Sequence, residues 1–182
     1  LDNLKNIKLH REPYTWFTLD NVFPEEYYQE MLRMFPDPEE TQNIDETYGG
    51  HTRGYPNRFI MEMKYHKGRL CNKKLAFWLA FDEWFNSQEV VHSWLNAAGA
   101  PHLTTNTYSD FILQRDESGY DLGPHTDGPA RVFNSIIYLP DDDSRPELGT
   151  SLYIPNDTFD VNTAERGPKH FANSNQFDTF AF

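Results

Sequence analysis

The chain has 182 residues, of which 38% are hydrophobic and 15% aromatic, enough apolar mass for one substantial core and too much for a disordered chain. A formal charge of −12 argues against a nucleic-acid backbone or an anionic membrane surface as the main partner. Cys71 is the only cysteine, which excludes an intrachain disulfide and a cysteine-rich zinc site.

Tyr14 to Leu19 is aromatic and β-branched and predicts a strand. A helix follows: Pro24 suits its first turn, Glu25 and Glu26 its positive end, and Tyr28, Met31, Leu32 and Phe35 keep helical spacing. Pro36 and Pro38 end it. Residues 37 to 72 are polar, and Gly49, Gly50 and Gly54 predict a mobile loop there, a candidate lid. Leu75 to Phe85 predicts a second helix, with Trp78 and Trp84 as packing residues, and Glu89 to Ala98 a third carrying Trp94, stopped by Gly99 and Pro101.

From about residue 102 the pattern becomes β. Candidate strands are Leu103 to Gln114, Pro124 to Asp127, Val132 to Leu139, Ser151 to Ile154 and Phe177 to Phe182, with turns rich in Gly, Pro and Asp. Helices followed by antiparallel strands predict an α+β fold: one domain over 1–182, helical to about 101, then a sandwich or jelly-roll β core over 102–182. The chain begins at Leu1 and stops within the strand-like run 177–182, so a longer parent protein is expected, with the β core incomplete here. No apolar run is long enough to span a membrane and no signal peptide is recognisable, which makes a reducing, cytoplasmic setting the expectation.

One segment carries chemistry. In Gly119-Tyr-Asp-Leu-Gly-Pro-His125-Thr-Asp127, His125 and Asp127 are two apart, and on a strand they face the same side. An imidazole and a carboxylate so placed can share one metal ion. Two histidines and one carboxylate on one face of an octahedral ion, with open positions opposite, form the ligand set of non-haem Fe(II) oxygenases. The pair alone is a chance-level pattern: the composition predicts about one His-x-acid pair, and the chain has two, the other being His10-Arg-Glu12 in a polar stretch. The bland alternative is an Asx-type turn with Asp127 capping Gly128-Pro129. Context favours the metal: Gly119, Gly123 and Pro124 lead tightly into the strand, and an apolar run, 133–139, follows it. A His and an Asp facing a core need a partner.

With Phe111-Ile-Leu-Gln-Arg115-Asp-Glu-Ser-Gly119 leading into that segment, Ile136-Ile-Tyr-Leu-Pro140 and Leu148-Gly-Thr-Ser-Leu-Tyr-Ile-Pro155 behind it, and Pro13-Tyr-Thr-Trp-Phe-Thr-Leu-Asp20-Asn-Val-Phe-Pro24 at the start, the sequence resembles the 2-oxoglutarate/Fe(II)-dependent oxygenases. The likeness is to bacterial and marine-type members of the prolyl-hydroxylase-like group, and it covers residues of about 13–35 and 75–182. It implies a double-stranded β-helix core with the N-terminal helices packed on it. It also implies Fe(II) and 2-oxoglutarate as cofactor and co-substrate, and hydroxylation of a small-molecule or peptidyl substrate. His125 and Asp127 would be the first two iron ligands. The family has a distal His on a later strand and, about ten residues on, an Arg or Lys that pairs with 2-oxoglutarate. Here the only later histidine is His170, in an apparent loop, and no Arg or Lys follows it. Three readings stay open: His170 is the third ligand, the distal His lies past Phe182, or the triad is lost.

Other residues are weighed against ordinary packing or solvation. Arg131 and Tyr108 are candidates to contact the co-substrate, with Asn134 and Tyr138 as possible lining of a pocket. Arg53 and Arg58 in the glycine-rich loop are candidate substrate contacts. Arg115 and Asp116 pair with each other or with a loop. His51, His66, His92 and His102 have no ligand-like spacing. Two further functional readings accompany the oxygenase: a non-catalytic jelly-roll that binds a ligand such as a sugar, and a cupin-type metal-dependent isomerase.

Overall fold

The structure is a computed structural model that describes residues 7–12, 14–47, 57–103, 107–120, 125–126, 131–142, 144, 149–158, 169–170 and 177–180. The chain divides into two compact units, Leu1–Tyr120 and Asp121–Phe182. The fold is mixed α+β, with helices and a small antiparallel sheet in the first unit. Among the described residues no helix is long and apolar enough to cross a membrane.

Helix α1 spans Glu25–Met34, with acids in its first turn and Arg33 in its last, as the helix dipole favours. Phe35 leaves the helix in an extended conformation, as a residue before proline must. Helix α4 (Asn72–Phe85) starts three residues before its predicted start, and α5 (Gln88–Ala97) is capped by the Ser87 hydroxyl, which accepts the Val90 N–H. Between these helices lies the core. Trp78 and Phe81 are fully buried, and the Trp78 indole N–H donates to the Met34 carbonyl at 2.6 Å, tying α4 to the end of α1. Phe81 meets Trp78, Phe85 and Phe111 with ring centroids 5.1–5.7 Å apart. Trp84 packs on Phe23 and Phe81 but keeps 41% of its surface exposed, so it closes the rim of the core.

The polar segment 37–72 carries regular structure in its described residues, 37–47 and 57–72. It holds a 3-10 turn (Pro38–Glu40), strand β1 (Gln42–Asn43), helix α2 (Ile44–Thr47), strand β2 (Arg58–Glu62), helix α3 (Met63–His66) and a second 3-10 turn (Lys67–Arg69). Strand β2 is the centre of a three-stranded antiparallel sheet, order β1-β2-β3, with β3 at Ile112–Asp116. Ile60, Met61 and Leu113 are buried in it. The Phe59-Ile60-Met61 run is the local signal for this strand; its charged ends and polar surroundings mask it. The glycine-rich part of the predicted lid, with His51 and Arg53, lies outside the described residues.

Three predicted strands differ. Tyr14 to Leu19 is reduced to a single bridge, His10 to Trp16, because Trp16 stacks on His10 (4.0 Å between centroids) and Phe17 turns to Trp94. Leu103 to Gln114 opens with a 3-10 turn at Pro101–Leu103, and among its described residues the strand starts at Ile112. Val132 to Leu139 forms no strand: no strand pairs with it among the described residues, and Ile136 and Tyr138 are exposed. An apolar run without a ladder partner cannot satisfy its backbone as a strand.

In the second unit β4 (His125–Thr126) pairs antiparallel with β6 (Lys169–His170), and β5 (Leu152–Pro155) with β7 (Phe177–Phe180). The β5–β7 register runs from Leu152↔Phe180 to Pro155↔Phe177.

Candidate metal centre

The candidate centre is built on β4 and β6. His125 is exposed on β4. The register sets His125 opposite His170 and Thr126 opposite Lys169. Residues directly opposite in an antiparallel ladder have Cα atoms about 4.5–5.5 Å apart. Thus two histidines 45 positions apart in sequence occupy facing backbone positions, and His170, expected in a loop, lies in a strand. Asp127 lies outside the described residues. Among the described residues no group of three His, Cys, Asp or Glu side chains is gathered for a metal.

The other predicted residues are placed individually. Arg131 is exposed, and its Nη1 donates to the Asn134 side-chain oxygen at 3.4 Å. The Tyr138 hydroxyl is hydrogen-bonded to the Thr150 hydroxyl. Tyr108 belongs to the first unit and is 77% exposed. His66 is structural: its Nδ1 accepts the Glu62 N–H at 3.1 Å.

Arg58 is not in a loop. It opens β2 opposite Asp116, and its Nε and Nη2 donate to the two Asp116 carboxylate oxygens at 2.7 and 2.8 Å. Asp116 therefore pairs across the sheet rather than with Arg115, which lies 3.5 Å from Glu117. The Arg58 guanidinium also sits 3.9 Å from the centre of the Tyr120 ring. Beside it, the Asn57 carbonyl accepts the Glu117 N–H at 2.8 Å, and the Asn57 amide donates to the Ser118 carbonyl at 3.0 Å. Sequence reading missed this group, since its halves are 58 positions apart.

Compared with protein-family models, with curated proteins and with solved structures, the chain has no match.

Proposed function

We propose that the protein is a 2-oxoglutarate- and Fe(II)-dependent dioxygenase, built on a double-stranded β-helix core, that hydroxylates a small-molecule or peptidyl substrate. The observation that carries this reading is the backbone register His125↔His170. With Asp127 two residues after His125, the donor set is two imidazoles and one carboxylate, which fits Fe(II) and leaves positions open for a bidentate co-substrate. His125, Asp127 and His170 would hold the metal, and Arg131 is the cation offered to the 2-oxoglutarate carboxylate. When bound, the iron and 2-oxoglutarate supply oxidative decarboxylation coupled to hydroxylation of a C–H bond. The chain's own part is to hold the ligands in place and to orient the co-substrate.

Anaerobic addition of Fe(II) and 2-oxoglutarate tests this. A weak metal-to-ligand charge-transfer band in the visible is expected with the wild-type chain and is lost in His125→Ala and His170→Ala. No band with the wild-type chain would sink the oxygenase reading and favour a binding module. A band that survives His170→Ala alone would remove His170 from the ligand set.

A further inference from the structure

Residues 63–81 contain five Lys and Arg and no Asp or Glu, so this stretch carries +5 in a chain of −12 and leaves −17 for the rest. The asymmetry is expressed on one surface of the first unit. Helix α3, the 3-10 turn Lys67–Arg69 and the start of α4 follow one another, and α3 packs on α4. Met63, Leu70 and Trp78 are buried beneath them, so the backbone that presents the cations is held from below. Lys64, Lys67, Arg69 and Lys73 are exposed. Tyr65, 63% exposed, stands among them, with the Lys64 ammonium 5.1 Å from its ring centre.

The acids beside this strip are engaged elsewhere. Lys74 turns inward, its side chain 11% exposed, and binds Asp37 at 2.6 Å and Glu40 at 2.7 Å. Arg69 donates from Nη1 to the Thr41 carbonyl at 2.7 Å, which steadies the guanidinium and leaves its other N–H groups for a ligand. Among the described residues Lys67, Arg69 and Lys73 form no ion pair. Between them Gly68 faces open space, with no described atom within 4 Å of where a β-carbon would stand.

The charge of the remainder selects the kind of anion. Screening acts over about 8–10 Å at physiological salt, so a long polyanion or a membrane surface reaches past the strip and meets the −17 of the rest. A short acidic peptide avoids that repulsion: six extended residues span roughly 20 Å. A helical turn, a 3-10 turn and the first turn of α4 together present a strip of that order. We propose that Lys67, Arg69 and Lys73, flanked by Lys64, dock a short acidic peptide segment of a partner protein. This goes beyond the oxygenase reading and does not depend on it.

The test is fluorescence anisotropy of fluorescein-labelled hexa-aspartate titrated with the full chain. Wild type is expected to bind saturably in about 50 mM NaCl and about tenfold more weakly in about 300 mM. Lys67→Gln/Arg69→Gln/Lys73→Gln should bind about tenfold more weakly than wild type, each exposed pair being worth a few-fold. Lys8→Gln/Arg11→Gln/Arg33→Gln makes the same change in net charge and should stay within about twofold of wild type. No binding by wild type at low salt, or equal weakening by both triple variants, overturns the proposal. Because Arg69 also holds Thr41, Lys67→Gln/Lys73→Gln decides if the strip variant unfolds: a loss of about fivefold is expected, and one under about twofold overturns the proposal. Oligothymidylate or phosphatidylserine vesicles that bind more tightly than hexa-aspartate, through the same three cations, overturn the choice of a peptide. Salt-sensitive self-association in sedimentation, lost in the strip variant, overturns it in favour of a second copy of this chain.

Discussion

Glu40 is a charged residue in the interior of the first unit, only 8% exposed, and its substitution by glutamine isolates the contribution of its charge. One carboxylate oxygen accepts the Cys71 N–H at 3.0 Å. The other accepts the Asp37 N–H at 2.8 Å and the Lys74 ammonium at 2.7 Å. Cys71 is the N-cap of α4, so Glu40 also places negative charge at the positive end of that helix. Glutamine keeps the shape but has one acceptor oxygen. In its better orientation it retains Asp37 and Lys74 and turns an NH2 donor towards the Cys71 N–H. The lost charge-assisted bond costs about 1.5–3 kcal/mol, and the weakened helix-end and Lys74 attractions bring the total to about 3 kcal/mol. With a urea m-value of about 2 kcal/mol/M, the unfolding midpoint followed by far-UV circular dichroism should fall by roughly 1.5 M. pH supplies the second arm. Burial pushes the Glu40 carboxyl up, but the Lys74 bond and the Asp37 and Cys71 N–H groups outweigh it and hold the group below its ordinary value near 4.5. Such a group contributes stability that is present above the ordinary value and lost as pH falls through the lowered one. The gap between wild type and Glu40→Gln should therefore narrow as pH falls from the ordinary carboxylate value through the lowered one. A loss under about 1 kcal/mol at neutral pH, or a gap that persists undiminished in acid, would refute the electrostatic account.

Three further substitutions follow from the same structure. Trp78→Phe removes the indole donor to the Met34 carbonyl and part of a fully buried ring, and should cost about 2–3 kcal/mol in the same urea assay. Gly119→Ala should cost about 1–2 kcal/mol, because φ +86° disfavours any side chain and the new methyl displaces the Asn57 amide from Ser118; an unaffected variant would mean the turn adopts another conformation. Burial pushes the His66 imidazole below its ordinary value, with Glu62 opposing and Arg69 adding to the effect, so the neutral ring that accepts the Glu62 N–H is favoured in the fold. That contribution is present above the ordinary histidine value of 6.5 and is lost as pH falls below it. The protection factor of the amides at residues 62–66, with the base-catalysed intrinsic rate divided out, should fall below that pH in wild type and lose this fall in His66→Gln.

Helices α1, α4 and α5 were legible because their signals are local: Pro24 with Glu25 and Glu26 at the start of α1, Trp78 and Trp84 at helical spacing in α4, and Pro36 and Gly99 at the ends of α1 and α5. Strand β2 was hidden because its apolar triplet, Phe59-Ile60-Met61, is short and carries arginine and glutamate at its ends, so period and composition both read as polar. Val132 to Leu139 shows the converse: its composition is strand-like, yet it forms no strand and has no ladder partner among the described residues. At the candidate centre, His125-x-Asp127 is a contiguous pattern and could be seen in the sequence. The facing of His125 and His170, and the pairing of Arg58 with Asp116, are products of register between distant segments, which no local pattern encodes.

The division at Tyr120 has an optical consequence. All four tryptophans (Trp16, Trp78, Trp84 and Trp94) belong to the first unit, while the second has only Tyr138 and Tyr153 as fluorophores of any strength. Indole emission excited at the red edge of the absorption band therefore reports on Leu1–Tyr120 alone. The second unit is dark in that channel. A tryptophan placed at Tyr153, on β5, would give it a signal of its own, so that unfolding of each unit, and any coupling between them, could be followed in one titration.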